Sequence, residues 1–155
     1  MSQLENRAGD DQRVPASAAA LAGGGLIPFA AGAVGLWFAD PAGFDAIANA
    51  LVAYGAVILS FMGAIHWGVS LTLRPSPSGI RFAQSVIPAL MGWAATLVPL
   101  VVALPTLIVG FILVFAWDLG AVRDGLVPPW YRTMRTVLTA AVSILLLIAL
   151  GAAAV

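Results

Sequence analysis

One side chain is distinguished by its chemistry: His66, the only histidine in the sequence. It lies in the run 46–73, which contains no Asp, Glu, Lys or Arg and exceeds the roughly 20 apolar residues that cross a bilayer. An imidazole takes up or releases a proton near neutral pH, and ionisable groups inside membrane segments mark functional sites. His66 is therefore a candidate for proton handling or ligand contact. The alternative is a structural histidine that bonds a neighbouring helix.

A second ionisable group, Asp118, is predicted to lie at a similar depth. His66 comes eight residues before Arg74 and Asp118 five before Arg123, so they lie roughly 12 Å and 8 Å from the inner ends of their helices. We therefore predict that His66 and Asp118 face one polar pocket in the inner half of a helix bundle. The remaining residues of this layer are Trp67, Gln84 and Ser85. For Asp118, the alternative is an interfacial carboxylate that pairs with Arg123.

The sequence offers little for metal or redox chemistry. It has no cysteine, and its one histidine and seven carboxylates show none of the usual ligand spacings. Haem ligation by His66 would need a second axial ligand. The candidates are Met62, Met91 and Tyr54, and nothing selects among them. We predict no cofactor, no metal and no catalytic constellation.

The composition is typical of an integral membrane protein. Hydrophobic residues make up 61% of the chain and charged residues 9%, against about 25% charged residues in soluble domains. The mean hydropathy is +1.01. Because the net charge is zero, nothing favours nucleic acid as a partner. The expected partners are membrane lipid and either a second copy or another membrane protein, and the sequence does not define a small-molecule ligand.

We predict an all-α bundle of five transmembrane helices in residues 17–155, after a polar, disordered tail in residues 1–16. The predicted spans are residues 17–39, 46–73, 82–100, 105–122 and 133–155. The fourth span is short, and a re-entrant segment is the alternative there. In that case the number of spans would be even and both termini would lie inside.

The arginines predict the orientation of the chain. All seven lie in the N-terminal tail or flank the loops after spans two and four, and the other two loops have none. By the positive-inside rule, the N-terminus is inside and the C-terminus outside. Aromatic and cationic side chains near the start of span five are assigned to the headgroup layer. These are Trp130, Tyr131, Arg132 and Arg135.

Two stripes of small residues predict a contact between helices. The stripes are Gly24, Pro28 and Gly32 in span one and Ser60, Ala64 and Gly68 in span two. Small side chains let helix backbones approach closely in lipid. We therefore predict that spans one and two pack against each other through these stripes, with a kink at the proline of span one.

Three stretches resemble a known family. They are residues 25–29 (GLIPF), residues 53–68 (AYGAVILSFMGAIHWG) and residues 129–139 (PWYRTMRTVLT). On these motifs the chain resembles the domain of unknown function 3429 family, over nearly its whole length after the polar tail. The resemblance implies a small helical protein of the bacterial inner (cytoplasmic) membrane, or of the mitochondrial inner membrane in a eukaryote. It implies no established activity.

Three classes of function are compatible with the sequence. The short loops and glycine stripes favour a non-catalytic scaffold or assembly partner that packs through small-residue helix faces. The polar layer around His66 favours a small oligomeric transporter or proton-linked permease, although five spans give no inverted repeat of the usual transporter kind. A membrane enzyme or redox-cofactor binder is the class that the residues support least.

Overall fold

The computed structural model describes residues 13–73 and 79–154. They form six helices and, within these two ranges, no β-strand, which confirms the all-α fold. The helices are α1 (Ala16–Gly24), α2 (Ile27–Phe38), α3 (Pro41–Thr72), α4 (Gly79–Ala95), α5 (Leu100–Arg123) and α6 (Trp130–Ala152). Most of the predicted tail and the loop after α3, with Arg7 and Arg74, lie outside the described residues.

The first two helices form one candidate membrane span, with a break at Gly25 and Leu26. Pro28 has no backbone N–H, and its ring would clash with the carbonyl of Gly24 in a continuous helix, so it suits the first turn of a new helix. It lies in the first turn of α2. At the break, the hydroxyl of Tyr54 donates a hydrogen bond to the carbonyl oxygen of Gly25 at 2.9 Å. The predicted kink is therefore a break just before the proline.

The longest helix, α3, has 32 residues and is about 48 Å long. Asp40 caps its first turn, because its carboxylate accepts a hydrogen bond from the backbone N–H of Gly43 at 2.7 Å. Pro41 occupies the first helical position, where a missing N–H costs nothing. The helix therefore begins before the predicted start of the span at residue 46.

Helices α3 and α5 run parallel in a fixed register. A Cβ built on Gly55 of α3 would lie 2.7 Å from a methyl carbon of Leu107 on α5. About one turn further along both helices, a Cβ on Gly110 would lie 2.5 Å from a methyl carbon of Leu59. The contacts advance in the same direction on the two helices, which fixes how deep each residue of α5 lies relative to α3.

Helix α4 runs antiparallel to α3 and packs closely against it. A Cβ on Gly63 would lie 3.1 Å from Pro88, and one on Gly92 would lie 2.9 Å from the carbonyl oxygen of Ala56. The two backbones come this close because the contact is made by glycine, alanine and proline. Helix α4 thus returns the chain from one end of the bundle to the other, between two parallel helices.

Four helical stretches of the described residues are long and apolar enough to cross a membrane. They are Ala16–Phe38, Pro41–Thr72, Leu100–Arg123 and Trp130–Ala152. Helix α4 has 17 residues and is about 26 Å long, and it is not among these four. By length and composition, the predicted count of five spans is therefore one too high.

The predicted boundaries are wrong around the α4–α5 connection. The span predicted over residues 82–100 ends at Ala95, because the chain turns there and Pro99 caps the next helix. The following span was predicted to begin at Pro105, which instead lies inside α5. With 24 residues, α5 is long enough to cross the membrane, so the predicted shortness of the fourth span came from a wrongly placed start.

The packing stripes need a correction. Gly32 does meet α3, where a Cβ would lie 2.9 Å from Leu51, and Ser60 is half-buried and bonds the carbonyl of its own helix at Ala56. The other predicted residues are exposed: Gly24, Pro28, Ala64 and Gly68. Helical periodicity identifies a stripe but not its neighbour, and α4 covers the adjacent stripe that contains Gly63.

The described arginines lie at one end of the bundle. Arg81, at the start of α4, lies 3.6 Å from Asp124, which directly follows α5. Arg123 and Arg132 border a common surface recess next to this pair. Helix α6 begins at this end and α1 lies against its first turns. This arrangement agrees with the clustering on which the predicted orientation depends, and the orientation itself stays a prediction.

The opposite end of the bundle has no arginine among the described residues, and its charged side chains are Asp40 and Asp45 at the start of α3. The indole Nε1 of Trp37, near the end of α2, donates a hydrogen bond to the carbonyl oxygen of Ile148 on α6 at 3.1 Å. Between the two ends, large apolar side chains with less than 2% exposure fill the core. They include Phe29, Leu59, Leu104, Leu107 and Leu146.

Candidate functional site

The centre of the candidate site is the carboxylate of Asp118 on α5, which is 1% exposed. Nε2 of His66 on α3 lies 3.0 Å from its Oδ1, and the hydroxyl of Tyr131 on α6 donates to the same oxygen at 3.4 Å. Nε of Arg135, also on α6, donates to Oδ2 at 2.5 Å. We call these four residues the Asp118 cluster. It joins three helices through one buried carboxylate.

The register of α3 and α5 explains why His66 and Asp118 meet. Gly55 lies against Leu107, and His66 and Asp118 each lie about three turns further along their helices. Because parallel helices have the same rise per residue, the two side chains reach the same depth. The structure thus brings together the two ionisable residues for which the sequence predicts a common pocket.

The other residues predicted for this pocket lie elsewhere. The hydroxyl of Ser85 donates to the carbonyl of Phe82 on its own helix at 2.6 Å, and Gln84 is half-buried on the same helix. Trp67 is 44% exposed and packs edge-to-face on Phe82, with ring centroids 4.8 Å apart. The aromatic neighbour of His66 is instead Trp117, at 6.2 Å. In the described structure, α4 supplies no hydrogen bond to Asp118.

Helix α6 supplies two cluster members that were assigned to the headgroup layer. Tyr131 and Arg135 are buried, with 8% and 4% exposure, whereas Arg132 is exposed and Trp130 is half-buried. A buried guanidinium needs an opposite charge nearby, and Asp118 provides it. The sequence carries a signal for this inward turn. Arg135 continues the helical spacing of the buried residues Thr139, Val142, Leu146 and Ala149.

The alternative for Asp118, an ion pair with Arg123, is not formed. Arg123 is exposed and its Nε lies 3.8 Å from Asp124, at the surface. A buried carboxylate and a buried guanidinium balance each other's charge where lipid surrounds the bundle. An imidazole with its proton on Nε2 donates to the carboxylate and leaves the cluster neutral.

Arg135 has more hydrogen-bond donors than the cluster uses. Its Nη1 contacts the thioether sulfur of Met62 at 2.8 Å, and a thioether is a weak acceptor. Its Nη2 is buried and has no hydrogen-bond partner among the described residues. The hydroxyl oxygens of Thr139 and Ser143 on the same helix are also buried without a partner there.

A cavity of about 360 Å³ lies beside the cluster, between α1, α3 and α6. Apolar side chains form most of its wall, among them Phe29, Phe111 and Val142. The polar side chains that line it are Tyr131, Arg135 and Thr139, all on α6. Arg135 therefore belongs to the Asp118 cluster and also lines the cavity. In the described ranges, no group of three or more His, Cys, Asp or Glu residues is placed to hold a metal ion.

Residues 14–151 match the sequence model of a family described as "Protein of unknown function (DUF3429)". The chain belongs to the DUF3429 family. The match includes every residue of the Asp118 cluster and nearly all of the six helices. The resemblance predicted from three stretches of sequence is therefore confirmed, and it covers the bundle as a whole.

Two curated relatives of this DUF3429 protein are both named Transmembrane protein 69. The protein from Xenopus tropicalis is 32% identical over 119 residues, which are 74% of this chain and 46% of that protein. The protein from Mus musculus is 34% identical over 119 residues, 74% of this chain and 47% of that protein. The chain spans about half the length of the curated relatives it matches. No solved structure matches.

Together, the family, the names of the relatives and the apolar helices identify a multi-pass membrane protein. Its helices are in contact with lipid, because the described bundle exposes large apolar side chains over much of its surface. Examples are Val57, Phe61, Val109 and Ile112.

Proposed function

We propose that this protein is a non-catalytic assembly partner in the membrane, which docks a transmembrane helix of another protein on the outer face of α3. The observation that carries the proposal is the position of Ala64 and Gly68. Both are exposed, and a Cβ on Gly68 would have no atom of the described structure within 4 Å. Small residues facing lipid suit a close contact between helix backbones.

The Asp118 cluster supports the proposal because it fixes the position of α3. Hydrogen bonds from His66, Tyr131 and Arg135 hold α3, α5 and α6 to one carboxylate. A buried polar cluster of this kind specifies one arrangement of helices in some proteins, and we apply that role here as a hypothesis. A docking face is more selective when it is rigid, because less entropy is lost on binding.

The proposal can be tested with single cysteines, since the chain has none of its own. Gly68→Cys places a thiol on the proposed face, and Val109→Cys places a matched thiol on the exposed face of α5, where Val109 is 57% exposed. Both variants are expressed in cells of the source organism and treated with a membrane-permeant crosslinker, whose maleimide bonds the thiol and whose benzophenone inserts into a nearby C–H bond of any neighbouring protein on irradiation. We expect Gly68→Cys, but not Val109→Cys, to form one discrete crosslinked product that contains a second protein.

The identity of the product decides between the outcomes. A product that contains a different membrane protein, and that is lost when Gly68 is replaced by Leu in an Ala64→Cys background, supports the assembly role. A product that contains two copies of this chain replaces the proposed partner with a second copy. Equal crosslinking from both positions, or none, would contradict the proposal.

A second candidate function is a proton-linked permease. The observation that favours it is the 3.0 Å contact between His66 and Asp118. The His66 side chain is 14% exposed, so it is the more accessible member of this pair. The purified protein in liposomes, under an imposed pH gradient and with a pH-sensitive dye inside, would then carry protons faster than His66→Phe. Identical rates for both proteins and for empty liposomes would exclude this function.

A further inference from the structure

The cavity between α1, α3 and α6 points to a ligand, independently of the docking face and of proton transfer. We propose that it binds an apolar molecule that carries a neutral carbonyl oxygen, and that Arg135 and Thr139 donate hydrogen bonds to this oxygen. The membrane holds two sources of this chemistry. One is the head of a lipid-soluble quinone and the other is the ester carbonyl of a phospholipid.

The hydrogen-bond donors are the first argument. Nη2 of Arg135 and Oγ1 of Thr139 are buried without partners among the described residues, and both side chains line the cavity. Arg135 is 4% exposed and Thr139 is 7% exposed. A buried donor without an acceptor is costly, and more so when it is charged. Both atoms are shielded from the open part of the cavity, so the two side chains turn toward it when a ligand binds, and one acceptor oxygen then satisfies both groups.

The charge of the cluster selects a neutral acceptor. Asp118 already balances the charge of Arg135 through the bond to Oδ2. An anionic ligand would add an unbalanced charge in a site that is otherwise apolar, and buried unbalanced charges are strongly unfavourable. A carbonyl oxygen accepts hydrogen bonds and leaves the total charge unchanged.

The shape of the cavity fits an apolar body that enters from the lipid. Its volume of about 360 Å³ falls at the lower end of the roughly 300 to 1,000 Å³ that small-molecule pockets span. Leu21 of α1 and Phe61 of α3 line it and are 80% and 61% exposed, so its rim lies on the outer surface of the bundle. Helix α1 has no buried residue, which leaves this side the least tightly packed.

Binding can be measured by native mass spectrometry of the full chain in detergent micelles. Three probes separate the possibilities. A decyl-substituted benzoquinone carries the carbonyl on a ring, a short-chain diacyl phosphatidylcholine carries it in an ester, and decylbenzene carries no acceptor. We expect one carbonyl probe to bind at one molecule per chain, at least tenfold more tightly than decylbenzene.

Variants on α6 and α1 then locate the site. Thr139→Val removes the hydroxyl and keeps the shape, so affinity should fall about threefold to tenfold. Thr136→Val is the matched control, because Thr136 is exposed and bonds the carbonyl of Arg132. Ala22→Phe fills the cavity from α1 and should abolish binding while helix content stays unchanged.

Each outcome has a definite meaning. Binding of the benzoquinone alone identifies a quinone, and binding of the phospholipid alone identifies the lipid ester. Decylbenzene binding as tightly as the carbonyl probes would show an apolar crevice without a polar site and overturn the proposal. Binding of no probe, or equal effects of the Thr139 and Thr136 variants, would overturn it as well.

Discussion

The two ends of the bundle hold their helices together in different ways. At the end that contains the Asp118 cluster, three helices are joined by directed bonds to one carboxylate, and α4 lies so close to α3 that backbone atoms are in contact. At the other end, the side-chain hydrogen bond that joins two of the described helices is the one from Trp37, and apolar side chains make the remaining contacts. Directed contacts have one good geometry, whereas apolar side chains adjust. Substitutions should therefore cost more at the first end.

The largest effect is expected for Asp118→Asn. The amide keeps the shape but leaves the guanidinium of Arg135 buried without a counter-charge, so the free energy of unfolding should fall by about 3–5 kcal/mol. Unfolding is measured by titrating dodecyl sulfate into detergent micelles and following helix content. The control is Asp124→Asn, where the partly exposed pair with Arg81 should be worth about 0–1 kcal/mol because solvent screens it. Equal losses would contradict the comparison.

His66→Phe should have the next largest effect. Phenylalanine keeps an aromatic ring beside Trp117 but removes the hydrogen bond to Asp118, and bonds to charged groups contribute about 1.5–3 kcal/mol. Tyr131 and Arg135 still hold the carboxylate, so the loss should be smaller than for Asp118→Asn under the same titration. A loss as large as that of Asp118→Asn would show that His66 is as important to the cluster as the carboxylate.

Two glycines test how easily the α3–α4 contact and the α2–α3 contact accommodate an added methyl group. A Cβ on Gly63 would lie 2.6 Å from the backbone oxygen of Ser85, whereas one on Gly32 would lie 2.9 Å from the side-chain tip of Leu51. Because a side chain moves more easily than a backbone, Gly63→Ala should destabilise the protein by about 1–3 kcal/mol and Gly32→Ala by less. Thermal unfolding of both variants in one detergent gives the ranking. The reverse order would show that the α3–α4 contact is the more adaptable one.

The smallest effect is expected for Trp37→Phe, at the end of the bundle opposite the Asp118 cluster. The variant loses the hydrogen bond to the carbonyl of Ile148, but Trp37 is 51% exposed, so the loss should be about 0.5–1.5 kcal/mol. The same dodecyl sulfate titration applies. A loss greater than that of His66→Phe would mean that the two ends do not differ in the way described above.

The depth of a residue along its helix could be predicted from the sequence, because the rise per residue of an α-helix is fixed. His66 and Asp118 were placed in one layer by counting residues from flanking arginines, and the structure puts them 3.0 Å apart. The all-α fold and the family were also predictable, the first from composition and the second from three stretches of sequence that lie within the residues matched by the DUF3429 model.

Rotation of a helix about its axis could not be predicted in the same way. Arg135 and Tyr131 were assigned to the headgroups because an arginine near a span end is also the usual topology signal. The helical spacing of Arg135 with the buried residues of α6 indicates an inward turn, but the counter-charge that makes it favourable, Asp118, lies on another helix. The stripe with Ala64 and Gly68 was found by periodicity, but which stripe α4 covers depends on how α3 and α4 dock. Both errors concern contacts between helices and neither concerns the helices themselves.

The parallel register of α3 and α5 has a consequence for how this family tolerates insertions and deletions. Removing one residue between Gly110 and Asp118 would rotate the carboxylate by about 100° and shift it by about 1.5 Å relative to His66. The contacts at Gly55 and Gly110 hold the rest of the two helices in place, so the change could not be absorbed by sliding. Length variation among members that keep the Asp118 cluster should therefore fall in the loops and at the helix ends. Between these contact points, the spacing on α3 and α5 should be invariant.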